Sequence, residues 1–287
     1  MQQVKGFDLS SYQKIIEQEL VKRIDALGPQ NRLKEACEYV LMSKGKRVRP
    51  ILTLMVAQSL GKGLDAVQAS LAIEFFHTAS LVADDLPCMD DEEERREKPT
   101  VHTVYGGAVA LLSTYVFIAA GYESVLLNAQ EMKKTFPQDY VDHVGMLAFE
   151  CITRNAGIQG ITGGQFLDIY PPNFKLETIK EILCKKTVTL FEIAFVLGWL
   201  FGGGDLSKLK LVEKAAYHLG MAFQIADDIE DREQDLEREG AVNIAVACGE
   251  EKAKAFFNEE EKLYLETLQK LEIATPQLVG LVDLFRP

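Results

Sequence analysis

The sequence predicts an all-α protein, a bundle of about ten helices forming a single domain over residues 1–287. Three observations lead there. Long segments repeat apolar residues at i, i+3 and i+4. Alternating strand patterns with hairpin signals are scarce. The interruptions are discrete: Gly28-Pro29, Gly61-Lys62-Gly63, Pro171-Pro172 and Gly202-Gly203-Gly204.

In order, Tyr12 to Leu27 sets Ile15, Ile16, Leu20 and Ile24 on one face and stops at Gly28-Pro29. Asn31 to Lys44 is a second helix, ended near Gly45. Pro50 to Leu60 and Leu64 to Asp85 follow, the latter apolar enough to be buried all round. Glu92 to Tyr105 reads as a polar connection. Gly107 to Asn128, Gln138 to Tyr170, Leu176 to Leu200 and Leu206 to Asp231 read as four more helices. The C-terminal Asp283 to Pro287 has no reading of its own.

Composition narrows the function classes. The chain is 47% hydrophobic and 26% charged, with a formal charge of −12. That balance supports a large core and disfavours binding to nucleic acid or to an anionic membrane. An anionic substrate then needs local basic groups or bound cations. The five cysteines, 37, 88, 151, 184 and 248, form no CxxC pair, which predicts reduced cysteines in a cytoplasmic protein and no zinc site. The opening MQQVKGFDLS has no signal-peptide core. Ala108 to Gly121, containing Ser113 and Thr114, reads as a core helix rather than a transmembrane segment.

Two acidic clusters follow apolar helices. In FQIADDIED, Asp227 and Asp231 lie about 40° apart on one helix face, with Asp228 beside them. Carboxylates one turn apart suit Mg²⁺, a hard cation that keeps several waters and bridges to phosphates. In LVADDLPCMDDEEERREKPTVH, an unbroken helix would put Asp90 about 240° from Asp84. Pro87 lets the chain turn so that Asp90 rejoins Asp84. Asp91 is a rival third ligand on strict helical phase. One Asp-Asp pair is ordinarily a solvated face or a cap, but two such clusters repel within themselves and call for cations. Basic counterparts are present. Lys46, Arg47 and Arg49 sit at a helix break, Arg95 and Arg96 follow the first acids, and Lys185 and Lys186 precede Thr187. Arginine suits bidentate phosphate binding and lysine supplies a mobile charge. His77 lies two turns before Asp84 on nearly the same face.

From about Lys44 to Asp231 the sequence resembles the trans-isoprenyl diphosphate synthases, or polyprenyl synthetases. The resemblance rests on GKRVRP, HTASLVADDLPCMD, the arginine pair before KPTVH, GGQFLD, KKT and FQIADDIED. The DDLPCMD form is most similar to short-chain enzymes making farnesyl or geranylgeranyl diphosphate. The resemblance implies an isoprenoid synthase fold with a central cavity, a homodimer, and three Mg²⁺ holding an allylic diphosphate (dimethylallyl, geranyl or farnesyl). It implies that Asp84, Asp85, Asp90, Asp227, Asp228 and Asp231 bind metal, and that Lys46, Arg49, His77 and Arg96 hold isopentenyl diphosphate. Arg95, Lys186, Thr187 and Gln224 match contacts to the allylic substrate or its developing cation. Gln165 and Asp168 match a supporting polar pair. The sequence departs from the family pattern at Lys44, Glu94 and Glu97, and it lacks the lysine often found after the second acidic motif, where Arg232 or Arg238 is the available substitute.

The implied reaction ionises the allylic diphosphate, condenses the cation with isopentenyl diphosphate and eliminates a proton, to the released diphosphate because no general base stands out. Product length depends on the floor of the cavity. Ala79, five residues before Asp84, is small and favours a C20 over a C15 product, with Phe75 and Phe76 further back. Two rivals stand beside this reading. A class I terpene cyclase needs no isopentenyl site and usually mixes Asn, Ser and Glu in its second motif, unlike DDIED here. A silent regulatory subunit of a prenyl synthase is the other, kept open by the absent lysine.

Overall fold

A computed structural model of the chain describes residues 9–237 and 240–287. Helices account for nearly all regular structure: α1 (Ser10–Ala26), α2 (Arg32–Leu41), α3 (Val48–Ser59) and α4 (Val67–Asp84) lead to a two-residue hairpin. The hairpin pairs β1 (Glu94–Arg95) with β2 (Lys98–Pro99). Then come α5 (Val101–Tyr105), α6 (Gly107–Met132), α7 (Gln138–Ala156), α8 (Ile161–Ile169) and α9 (Leu176–Leu183). A π-helical turn (Cys184–Val188) runs into α10 (Thr189–Phe201). A 3₁₀ turn (Leu206–Lys208) precedes α11 (Leu209–Glu230), followed by α12 (Arg232–Leu236), α13 (Ile244–Cys248), α14 (Glu250–Leu271), α15 (Pro276–Gly280) and a last 3₁₀ turn (Leu281–Leu284).

The centre of the bundle is α10, because TLFEIAFVLGWLF has apolar side chains on every face and only Glu192 escapes full burial. Helices α3, α4, α7 and α11 pack around it. Its glycines allow unusually close approach. A Cβ on Gly198 would lie 2.5 Å from the Thr53 carbonyl oxygen, and one on Gly202 would lie 2.7 Å from Ala57 Cα. The Thr53 hydroxyl donates to the Ala194 carbonyl at 3.0 Å across the same contact. A second seam joins α4 to α6, where Phe75 stacks on Phe117 at 6.2 Å and Phe76 meets Tyr122 edge-on at 5.3 Å. At 26 residues, α6 is longer than the sequence pattern indicates. Its length and composition would suffice to cross a membrane, but its inner face is packed inside the bundle.

Two expectations need correction. The helix read from Gln138 to Tyr170 is two helices, because Gly157 is extended and a Cβ on Gly160 would lie 1.8 Å from the Asn155 carbonyl oxygen. The apolar spacing continues across this break and conceals it. The polar connection from Glu92 to Tyr105 contains the hairpin and α5. Beyond Asp231, where the last helix read from apolar spacing ends, the chain carries α12, α13, α14 and α15, and α14 lies along α11 with Ala253, Phe257, Tyr264, Leu268 and Leu271 buried at helical spacing.

Candidate active site

The first acidic wall forms where α4 ends. Asp84 is its last residue, and the Asp90 amide donates back to the Asp84 carbonyl at 2.9 Å. Pro87 lies inside this loop, as its missing donor and its restriction on the preceding residue require. Asp90 therefore faces the site: it accepts from Gln165 Nε2 at 2.9 Å and lies 3.9 Å from Lys186 Nζ. Asp91 sits at φ +54° on the exposed outside of the turn. Burial pushes Asp84 up to about 7, with Lys186 opposing the shift and Asp90 adding to it. Asp85 is buried, raised by the same desolvation, and ion-paired with Arg95 Nε at 2.6 Å. Arg95, expected on the allylic diphosphate, is anchored through its Nε to this carboxylate of the first wall.

The second wall is the end of α11. Asp227 and Asp231 are exposed, with the Asp231 amide bonded to the Asp227 carbonyl at 2.9 Å. Desolvation raises Asp227, the carboxylates of Asp231 and Glu230 add to the rise, and Arg49 and Lys46 oppose it. Asp228 departs from its expected place as an open ligand. It is 5% exposed, and its two carboxylate oxygens accept from Gln224 Nε2 and the Ile244 amide, each at 2.7 Å. Helical geometry turns it about 100° from Asp227, toward α13 instead of the open face. Burial pushes Asp228 up to about 7.

The π-helical turn bridges the two walls. Lys186 pairs with Asp168 of α8 and reaches toward Asp90. The Thr187 hydroxyl donates to Gln224 Oε1 at 2.7 Å, and Gln224 passes the chain on to Asp228. Gly164 makes this possible, because a Cβ there would lie 2.5 Å from the Lys186 amide nitrogen. Gln165 and Asp168 thus serve different partners, Asp90 and Lys186, instead of forming one pair. Lys185 points away and forms a pair with Glu181 at 2.7 Å.

The basic group gathers behind these walls. Arg49 lies 3.4 Å from His77 Nε2 and stands over the rings of Phe191 and Phe223, at 5.0 and 5.8 Å. Burial lowers Arg49 to about 10, which leaves it charged at neutral pH. His77 is pushed well below its ordinary value by burial and by Arg49, Arg96, Arg47 and Arg95, so its imidazole is neutral. Arg96 packs directly against Gly45, where a Cβ would lie 2.8 Å from its Nη1. Lys46 is exposed and close enough to lower Asp227. Arg47 is spent inside the fold, buried with Glu74 and donating to the Leu41 and Ser43 carbonyls at 2.6 and 3.0 Å. Arg232 lies near Glu250, and Arg238 is outside the described residues.

Sequence reasoning missed the aromatic platform of Phe191 and Phe223 and the buried Asn243. The asparagine had a local signal, a capping residue directly before the apolar run Ile244-Ala245-Val246. Among the described residues, no three acidic, histidine or cysteine side chains cage a metal alone. The carboxylates on the two walls fit a divalent ion that takes its remaining ligands from water and a substrate phosphate.

A family model described as polyprenyl synthetase matches residues 30–243. The geranylgeranyl pyrophosphate synthase, chloroplastic, of Capsicum annuum is 34% identical over 266 residues, covering 87% of this chain and 69% of that protein. The heterodimeric geranylgeranyl pyrophosphate synthase large subunit 2 of Arabidopsis thaliana is 35% identical over 220 residues, covering 75% of this chain and 56% of that protein. The chain therefore spans little more than half the length of that Arabidopsis relative. Among solved structures, an FPP/GFPP synthase from Zymomonas mobilis superposes with a TM-score of 0.82 at 27% identity, covering 97% of this chain and 99% of that one.

Proposed function

The chain belongs to the polyprenyl synthetase family, and from that premise we propose that it condenses isopentenyl diphosphate with an allylic diphosphate, head to tail. The carrying observation is the chain of contacts that joins the two acidic walls: Lys186 lies 3.9 Å from Asp90, its neighbour Thr187 donates to Gln224, and Gln224 donates to Asp228. Mg²⁺, three ions in this proposal, would be held by Asp84 and Asp90 on one side and Asp227 and Asp231 on the other, and supplies Lewis acidity to the leaving diphosphate. Asp85 takes part through Arg95, and Asp228 through its hold on the wall.

The chain's own groups then divide the work. Lys186 and Arg95 approach the allylic diphosphate from the side of the first wall and bind the charge that grows as its C–O bond breaks. Lys46, Arg49 and Arg96 hold the other diphosphate by charge and hydrogen bonds without Lewis acidity, which leaves it attached. Neutral His77 orients Arg49 without adding a competing cation. The Thr187 and Gln224 dipoles face the region where positive charge develops, and the released diphosphate accepts the proton.

The favoured product is C20, as in the relatives named geranylgeranyl pyrophosphate synthases, with C15 the alternative. Ala79 is small and buried on α4, and Phe76, one turn before it, packs edge-on against Tyr122. A homodimer in the cytoplasm completes the proposal. Support comes from Leu111, Leu112, Tyr115 and Ile118, which present one apolar face of α6 to solvent, and from five free cysteines. The test is Mg²⁺-dependent incorporation of labelled isopentenyl diphosphate by the purified chain, with dimethylallyl, geranyl and farnesyl diphosphates as primers. Chromatographic sizing of the product gives chain length. No incorporation with any primer overturns the proposal and favours a silent subunit.

A further inference from the structure

Asn243 is 1% exposed, lies outside both acidic motifs, and uses every polar atom of its side chain. Its Oδ1 accepts from the Val246 amide at 2.9 Å and caps α13. Its Nδ2 donates to the Asp228 carbonyl and to Asp235 Oδ2, both at 2.8 Å. The next amide, that of Ile244, donates to Asp228 Oδ2. One short stretch therefore grips α11, α12 and α13 together.

The placement of these grips gives them a consequence. The main chain changes direction at Asp231, which ends α11 and begins α12 at φ −87° and ψ 0°. Asp228 lies three residues before that joint and Asp235 four after it, and Asn243 holds both. The last carbonyls of a helix have no partner within it. Here the Asp227 carbonyl is taken by the Asp231 amide and the Asp228 carbonyl by Asn243. With Asp228 held at its carbonyl and at its carboxylate, the final turn of α11 cannot rotate. That fixes the direction of Asp227. The grip on Asp235 fixes α12 and so the direction of Asp231.

We infer that Asn243 is a positioning residue that aims Asp227 and Asp231 at a shared divalent cation–diphosphate. The inference rests on the prenyl-transfer reading above. A helix cap alone would ask less of this side chain. Serine caps as well as asparagine does, but it has no amide to reach Asp228 or Asp235. Asn243→Ser therefore separates capping from aiming.

The experiment measures binding of Mn²⁺ together with inorganic pyrophosphate to the full chain by calorimetry, beside thermal melting and the Mg²⁺ dependence of turnover. In Asn243→Ser, melting stays near wild type and Mn²⁺–pyrophosphate binds roughly tenfold or more weakly, the usual effect of losing a group that orients metal ligands. The Mg²⁺ concentration for half-maximal rate rises by a similar factor, and kcat at saturating Mg²⁺ is largely kept. Asp235→Ala, which leaves Asn243, its cap and Asp228 untouched, weakens binding in the same direction and decides the matter if the serine variant does not fold. Unchanged affinity and Mg²⁺ dependence in the folded variants overturn the inference alone. A wild-type chain that neither binds Mn²⁺–pyrophosphate nor incorporates isopentenyl diphosphate overturns the functional reading beneath it.

Discussion

The Arg49 guanidinium stands 5.0 Å above the centre of the Phe191 ring, with Phe223 on a second side at 5.8 Å. The rings hold the charge in place without consuming its hydrogen-bond donors, which stay available for a phosphate. Phe223→Leu keeps the apolar bulk and removes one π face. The loss is about 0.5–1 kcal/mol, roughly a two- to fivefold rise in KM for isopentenyl diphosphate. KM for the allylic substrate stays constant. Steady-state kinetics with each substrate varied separately check this, and equal rises in both KM values count against the platform.

On the proposed reading, Ala79→Tyr puts a ring in the path of the growing tail along α4 and shifts the product from C20 toward C15. Chromatography of the dephosphorylated products reads the change directly. An unaltered product distribution removes Ala79 from the floor.

Acid and metal should compete at the two walls. Asp84 and Asp228 have folded values of about 7, raised by burial above the ordinary 3.8. Between these pH values the folded chain binds more protons than the unfolded chain. Stability from these groups is therefore present at low pH, falls as pH rises from about 4 to about 7, and then levels. Mg²⁺ with pyrophosphate relieves the same unfavourable charge. It raises Tm more at pH 7.5 than at pH 5, where Asp84 must first lose a proton. Melting curves at the two pH values, with and without the pair, test the sign. A larger gain at pH 5 contradicts it.

The hairpin turn carries Arg96 at φ +55° and Glu97 at φ +64°, both left-handed and neither glycine. A left-handed conformation costs an ordinary residue about 1–2 kcal/mol, part of which glycine recovers after its own entropy loss. Glu97→Gly is expected to stabilise the chain by about 0.5–1 kcal/mol, a rise in Tm of a few degrees. Thermal melting checks it, and a lower Tm means that the Glu97 side chain earns its strained position.

Much of this architecture can be read from the chain. The period of apolar residues marks α1, α3, α4 and α6, and Pro87 foretells the loop that returns Asp90 to Asp84. What escapes depends on partners distant in sequence. Asp228 looks identical to Asp227 until α13 arrives with the Ile244 amide. Arg47 resembles Arg49 in a basic tripeptide, yet Glu74 draws one inward while Phe191 supports the other. The break between α7 and α8 is hidden because the apolar spacing continues through Gly157 and Gly160, and only the clash at the Asn155 carbonyl reveals why glycine is needed.

The π-helical turn at Cys184–Val188 has a corollary for how the gene can vary. Its i→i+5 turn, with more residues than an α turn, sets the phase of everything downstream on α10. Losing or gaining one codon there would swing the following helix by about 100°. Phe191 would leave Arg49, and Gly198 would leave the Thr53 carbonyl. Point substitutions along this stretch can be absorbed one side chain at a time, but a change of length has no small version.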